Sequence, residues 1–467
     1  MRTTLHVSFL LGAACLVSCT SDDSDDGTSS DPNNMGDASV PDASGGDTTP
    51  HDSNPSPGEL LSPSDAFTWH RVDDNALGAA FGDVADFDGD GKLDLLISAF
   101  GDPDRIAEFE LPGGSVAIYL QGDDLDSWTR VPVLEGDDGV VWPNNSHFVD
   151  MDDDGDLDVL VPAGFLICGF ANAPCGGVVW AENDGGSWIK HEVVTGDMPF
   201  VHHADVMDVN GDGKLDLVAV QETFPNASEL VWFPAADTPV GFETTPQVIA
   251  SGGGSHWEIV DVDDDGDDDI VSSEFFGASS MLATAVWFER VSAATDDAPA
   301  GQWERHVIDA TQGPSIQVHW VEDLVGDGTP RLLASNHVNE GVNGLTSAVW
   351  AYALPADPSA DTWPAAQLSD GITAIMNEGA DMNLAPGTFA VGDIDHDGDT
   401  DVAVSGDGDK NLFWLAQQED GTFDTRILHP GLGQGSVAAV EDLDGDGKLE
   451  VVAMGYEDNL VSVYAHQ

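Results

Sequence analysis

Asp86-Phe87-Asp88-Gly89-Asp90-Gly91-Lys92-Leu93-Asp94 sets carboxylates at positions 1, 3, 5 and 9 of nine residues, with glycine at position 6. Alternate side chains of a curling loop turn inward, so these acids converge on one point. A hard cation such as Ca²⁺ takes about six to eight oxygens from carboxylates, backbone carbonyls and water, and the carbonyl at position 7 can add one. Position 6 asks for a backbone conformation that glycine reaches cheaply. The opening resembles an EF-hand loop, but the last acid arrives at position 9, and the β-forming run Leu95-Leu96-Ile97 follows where an EF-hand has a helix. The stretch reads as a strand–loop–strand calcium site.

The pattern recurs from Asp150, Asp208, Asp261, Asp323, Asp393 and Asp442, at a mean period of about 59 residues (356 residues over six intervals). A fixed period of this order marks a repeat architecture. Six copies offer ligands: Asp86, Asp88, Asp90, Lys92 and Asp94; Asp150, Asp152, Asp154, Asp156 and Asp158; Asp208, Asn210, Asp212, Lys214 and Asp216; Asp261, Asp263, Asp265, Asp267 and Asp269; Asp393, Asp395, Asp397, Asp399 and Asp401; Asp442, Asp444, Asp446, Lys448 and Glu450. At position 7 the backbone carbonyl is the donor. About six mainly structural Ca²⁺ ions are expected. The fifth copy, Asp323-Leu324-Val325-Gly326-Asp327-Gly328-Thr329-Pro330-Arg331, has Val325 at position 3 and Arg331 at position 9. It is expected to hold no metal, with the planar Arg331 guanidinium bridging Asp323 and Asp327 in the ion's place.

The chain carries 86 acidic against 13 basic residues, a formal charge of −73. Six Ca²⁺ would offset only twelve of those charges. Such a surface repels nucleic-acid phosphates and anionic lipid, which excludes both as partners. Residues 1–18 read as an export signal, with an apolar run from Leu5 to Val17 too short to span a bilayer. Leu16-Val17-Ser18-Cys19 resembles the lipobox of bacterial lipoproteins, which implies lipidation at Cys19 and a cell-envelope location, at the outer-membrane surface or the periplasmic face; without lipidation the chain would be secreted. Residues 19–62 are Ser, Asp, Gly, Pro and Thr with hardly an apolar side chain, a disordered acidic tether after the lipidated cysteine. Residues 63–467 form the folded domain. Within it Cys168 and Cys175 are expected to pair as a loop-pinning disulfide in an oxidising compartment.

Each repeat shows the same succession. An aromatic strand such as Trp188-Ile189-Lys190-His191-Glu192-Val193 precedes a strand that enters the loop. A β-branched run such as Leu217-Val218-Ala219-Val220 leaves it, and an alternating strand ends the unit. Period-two alternation broken by turn residues argues for strands throughout. Four strands repeated seven times predict an all-β, seven-bladed β-propeller. The chain ends on Val461-Ser462-Val463-Tyr464 without a successor, so the strand around Trp69 should complete the last blade and seal the ring.

The loop DxDGDGxxD, its following apolar strand and the Trp-x-x-His strands resemble the FG-GAP and VCBS repeat families of calcium-binding propellers, to which integrin α-subunit heads are related. The resemblance covers roughly residues 63–467 and implies the fold and the calcium. It leaves activity open, because these families include adhesins, lectin-like modules and propeller parts of polysaccharide lyases and sugar dehydratases.

In such propellers the strand entering the loop lines the central channel, so its start opens on the opposite face. Asn144, Asn145 and His147, then His202 and His203, Ser255 and His256, and His319 gather there. His147, His202, His203, His256 and His319 are the candidate ligand-binding residues. His70, His191 and His306 belong to the aromatic strands and read as structural, while Trp142 and Trp257 suit either sugar stacking or core packing. No Gly-x-Ser-x-Gly elbow, phosphate-binding Gly-x-x-x-x-Gly-Lys loop or His-Glu-x-x-His occurs, and no catalytic residue is assigned. The expected function is a calcium-stabilised, lipid-anchored binding or adhesion propeller engaging a carbohydrate or a protein at its mouth. The alternative is a lyase or dehydratase acting on sugars through the mouth histidines with Arg105.

Overall fold

The structure, a computed structural model, describes residues 62–102, 113–164, 176–198, 201–223, 227–236, 241–275, 283–295, 297–374 and 384–467. Cys19, Cys168, Cys175 and Arg105 lie outside them.

Seven four-stranded antiparallel sheets make the seven blades. Blade 1 runs Ala79–Ala85, Asp94–Ala99, Ser115–Gln121 and Trp128–Leu134 from axis to rim. The innermost strands of blades 2 to 6 are His147–Val149, Ala204–Met207, Trp257–Val260, Gln317–Val321 and Phe389–Gly392. Blade 7 takes Gly435–Glu441, Glu450–Gly455 and Leu460–His466 from the end of the chain and Phe67–Asp73 from its beginning. Trp69 faces Tyr464 across that last pairing, and Trp69 Nε1 donates to Ser462 Oγ at 2.9 Å. The closure expected from the sequence is therefore the one observed, and the ring has no open edge between its ends.

The acidic loops always join the innermost strand to the second. The second strand is sandwiched between two neighbouring blades, which is why it reads as an unbroken apolar run; Asp94–Ala99 is buried at every position. Leu95 and Ile97 enter the interface with blade 7, whereas Leu96 enters that with blade 2. Seven such clusters, one per interface, are the core. Truncating one of these side chains, as in Leu96→Ala, costs about 2–5 kcal/mol through lost transfer energy and the cavity left behind.

With the acidic loops on one face, the connections from second to third strand, and from each blade to the next, fall on the other. That face holds the mouth.

Candidate functional site: acidic loops on one face, an imidazole-floored mouth on the other

All seven loops share one scaffold. The position 6 amide donates to the position 1 carboxylate at 2.9–3.1 Å in every copy, as Gly91 N does to Asp86 Oδ2. The position 7 amide donates to the position 5 carboxylate at the same distances. Position 6 is left-handed (Gly91 φ 89°, Gly398 φ 97°) and a Cβ there would meet nothing within 4 Å, so conformation rather than space demands the glycine. Position 4 is left-handed too, and Asp153, Asp264 and His396 occupy it in three copies. Asp and His tolerate this region better than most residues.

Five loops bring three carboxylates within 4.8 Å of one another: Asp86, Asp88 and Asp90; Asp150, Asp152 and Asp154; Asp261, Asp263 and Asp265; Asp393, Asp395 and Asp401; Asp442, Asp444 and Glu450. In the third loop Asn210 Oδ1 stands at position 3 and accepts from Asp212 N at 2.8 Å. At position 3, Asp152, Asp263 and Asp395 each bury an Oδ1 that has no hydrogen-bond partner among the described residues. Burial, and then the adjoining acids Asp154, Asp265 and Asp397, push these three carboxyls above their ordinary range. Orphaned oxygens in an oxygen-only cluster fit a hard cation such as Ca²⁺.

Position 9 has a second job. Asp94, Asp158, Asp216, Asp269 and Asp401 are buried; the first four accept two backbone amides each and Asp401 accepts three. Asp401 takes Ile394 N (3.1 Å) from its own loop and Gln417 N (2.8 Å) from the third strand. The last acid thus fastens loop to blade. Burial raises Asp269 and Asp401 to about 6 and Glu450 to about 7.

The fifth loop keeps the scaffold and replaces the acid. Arg331 Nη1 and Nη2 donate to the two oxygens of Asp327 at 2.9 and 2.7 Å, and Nη1 also to the Thr329 carbonyl at 2.8 Å. The expected bridge is corrected in one respect. The fork closes on Asp327 alone, because Asp323 Oδ1 is engaged by Gly328 N at 2.9 Å and adds only its charge to Arg331.

At the mouth, three of the five expected histidines converge. The His147 and His203 rings lie 5.7 Å apart, and His203 and His256 lie 6.3 Å apart with planes 18° from parallel. Asn145 Nδ2 donates to His203 Nδ1 at 3.0 Å, and His256 Nδ1–H donates to the Ile316 carbonyl at 2.9 Å. Phe81 reaches across the axis from blade 1 to within 5.8 Å of the His256 ring in blade 4, so the channel is a cup with a floor rather than a tube. Phe100 continues the aromatic wall, 5.9 Å from Phe81, 4.6 Å from Trp142 and 5.5 Å from Tyr456. Trp142 has φ 49°, a left-handed backbone that is strained for a bulky residue by about 1–3 kcal/mol.

The other two histidines do not join them. His202 is 3% exposed, its Nδ1 2.5 Å from Glu222 Oε2. His319 turns instead to Glu258, 2.6 Å away, and stands 6.4 Å from the Phe389 ring. Trp257 packs edge-on beneath His203 at 4.8 Å with 2% exposure, and Trp142 has 5%, so both belong to the packing rather than to an open stacking platform. His191 and His306 stack on Trp180 and Trp287 at 4.2 and 4.7 Å and bond to Glu182 and Glu289, while His70 bonds to Asp126. Phe81 was not among the expected mouth residues. It stands five residues before its loop, the offset shared by Asn145, His203 and His256, which is the sequence signal that marks it.

The mouth's acids are matched by bases. Asp205 lies 3.4 Å from His147, Asp407 3.3 Å from His337 and Glu274 2.6 Å from Arg305, beside the Glu258–His319 and Glu222–His202 pairs. Burial lowers His203 to about 3, with His147 adding to the effect, and His256 to about 4, with His202 adding. It opposes charge on His147 and His319 as well, but the facing Asp205 and Glu258 raise both. Burial also raises Glu222 and lowers His202, so it disfavours charge on both members of that pair. A separate cavity of about 640 Å³, lined by Asp73, Tyr119, Arg130 and Glu135 among others, lies toward the rim of blade 1 rather than on the axis.

The fold and these loops define a class: a seven-bladed β-propeller with acidic strand–loop–strand turns. More particularly, residues 208–272 and 393–453 match the FG-GAP-like repeat family, so the chain carries FG-GAP-like repeats. No curated protein matches the chain. Among solved structures it is similar to rhamnogalacturonan lyase YesW, at 13% identity over 86% of this chain and 76% of that one with a TM-score of 0.42. It is also similar to the Bacillus licheniformis rhamnogalacturonan lyase PL11 (12% identity, 86% and 76% coverage, TM-score 0.40). BBS1N from its complex with ARL6DN matches at 11% identity over 85% of this chain and 97% of that one, with a TM-score of 0.46. None of these likenesses bears on substrate.

Proposed function

We propose that the protein is a calcium-stabilised binding propeller of the cell envelope, anchored through lipid on Cys19, whose mouth engages a carbohydrate. Six loops hold Ca²⁺, and each ion relieves the repulsion of three or four clustered carboxylates, so that metal binding and folding are linked. The observation that carries the ligand reading is the convergence of His147, His203 and His256 on a cup floored by Phe81 and walled by a strained Trp142. A recessed cup of aromatic, imidazole and amide groups admits a sugar unit more readily than a protein surface.

The test is retention of the protein on immobilised polysaccharides in calcium, with mass spectrometry of the eluate. Retention without new products, lost in the His203→Ala/His256→Ala double variant, supports the binding module. Unsaturated or dehydrated products that disappear in that variant would make the protein an enzyme. Silence on every polysaccharide would move the ligand to the protein class.

A further inference from the structure

We infer that the mouth selects an uncharged polyhydroxyl ligand, a neutral sugar unit whose hydroxyls meet His203 as donor and His256 as acceptor. This rests on the mouth reading above and narrows it to one chemical class.

Two hydrogen bonds fix the tautomers. A backbone carbonyl can only accept, so the 2.9 Å contact to the Ile316 carbonyl keeps the proton of neutral His256 on Nδ1 and leaves Nε2 a bare lone pair. Asn145 Nδ2 is a donor, so the 3.0 Å contact to His203 Nδ1 places that ring's proton on Nε2. Among the described residues neither Nε2 has a hydrogen-bond partner, and neither is among the buried polar atoms left unpaired. Burial holds both rings neutral across the physiological range. The floor therefore offers one donor and one acceptor on adjacent, nearly parallel rings, a pairing that suits hydroxyl groups, each of which can both give and take.

The charges around the cup point the same way. An anionic ligand would enter a chain of formal charge −73 and find the mouth bases His147, His202, Arg305, His319 and His337 already engaged by acids. A cationic ligand would find the acids Asp83, Asp205, Glu222, Glu258, Glu274 and Asp407 engaged already. Five are matched to His147, His202, His319, Arg305 and His337, while Asp83 accepts from Phe148 N at 2.9 Å and Val84 N at 2.8 Å and is pushed toward neutrality by burial. Compensation within the protein is what a site for an uncharged ligand needs. Breaking a pair to admit a charge would leave a buried partner unmatched.

The experiment uses the full chain in saturating calcium against immobilised β-glucan, mannan and galactan as neutral glycans, polygalacturonate as the anion and chitosan as the cation. Retention is expected on at least one neutral glycan and to be unchanged by 1 M salt. His256→Leu, which deletes the acceptor, should weaken it about tenfold or more, whereas His256→Gln, which restores a side-chain acceptor, should stay within about threefold. Matching melting curves for the two variants would exclude misfolding as the cause. Retention only on polygalacturonate or chitosan, falling steeply with salt but still sensitive to His203→Leu, would overturn the uncharged-ligand inference and leave the mouth reading standing. Retention indifferent to both histidines, or absent on every glycan, would overturn both.

Discussion

The two faces of the ring handle carboxylates in opposite ways. On the loop face acids sit beside acids, with Asp152, Asp263 and Asp395 each burying an oxygen that has no partner among the described residues. On the mouth face acids sit beside imidazoles or a guanidinium, as in Glu222–His202, Glu258–His319 and Glu274–Arg305. The first arrangement fits an external cation. The second supplies its own counter-charges and is left free to take an uncharged ligand. On the proposed reading, stability and recognition fall to different ends of the same strands.

The sharpest way to break this contrast is to remove the cation. At a calcium concentration one hundred times the dissociation constant, each site adds about 2.7 kcal/mol. Six sites together then exceed the roughly 5–15 kcal/mol by which most domains are stable. Exhaustive chelation should abolish the cooperative thermal transition measured by circular dichroism, and calcium but not magnesium at equal concentration should restore it. A melt unchanged by chelation would mean that the loop face, like the mouth, needs nothing from outside.

Acid should act on the mouth in saturating calcium. His256 and His337 are held at about 4 by burial against an ordinary 6.5. The unfolded chain takes up protons below 6.5 and the folded one does not, so their stabilisation is complete above 6.5 and is lost as pH falls toward 4, by about 3 kcal/mol per group. Asp407, raised by burial to about 7 from 3.8, has the reverse sign and weakens the fold as pH rises between those values. His256 lies apart from the Asp407–His337 pair and is the cleaner reporter. The denaturant stability of His256→Gln relative to the parent should rise from pH 6.5 to pH 4; parallel curves would refute the assignment.

Much of this was legible in the sequence, because the fold repeats its instructions. Seven copies of one loop specify seven blades, and the aromatic strand ahead of the first loop supplies the fourth strand of the last blade. The mouth was legible only in part. His147, His203 and His256 come from neighbouring copies at nearly equal offsets, so a shared channel follows from the period. The Glu222 that buries His202 stands twenty residues away on the second strand, and abundant acids hide such a partner. Phe81 meets His256 only because the ring brings blades 1 and 4 face to face. The dual role of position 9 was equally hidden, since an acid that fastens amides and one that binds metal are the same letter.

That dual role can be isolated within blade 6. Asp397→Asn and Asp401→Asn each remove one of the loop's negative charges. Only Asp401 accepts both Ile394 N and Gln417 N, and an asparagine amide turned toward Ile394 N would oppose donor to donor. Asp401→Asn should therefore be less stable than Asp397→Asn by about 1–3 kcal/mol in urea unfolding. Equal losses would reduce position 9 to a ligand like the others.

Blade 5 is where the two strategies meet on the loop face, for there the counter-charge is internal. The amides of Gly328 and Thr329 are held as their equivalents Gly398 and Asp399 are in blade 6. The organising cation, however, is Arg331, bidentate on Asp327. In hydrogen exchange at limiting calcium, the Gly398 and Asp399 amides should lose protection before those of Gly328 and Thr329. Restoring the acids with Val325→Asp and Arg331→Asp should raise the bound calcium measured by equilibrium dialysis from six ions to seven, with little change in the calcium-loaded melt. A count that stays at six would mean that the loop's geometry, and not merely its missing carboxylates, refuses the ion; the equivalence of an internal guanidinium and an external metal would then fail in the one blade where both can be tried.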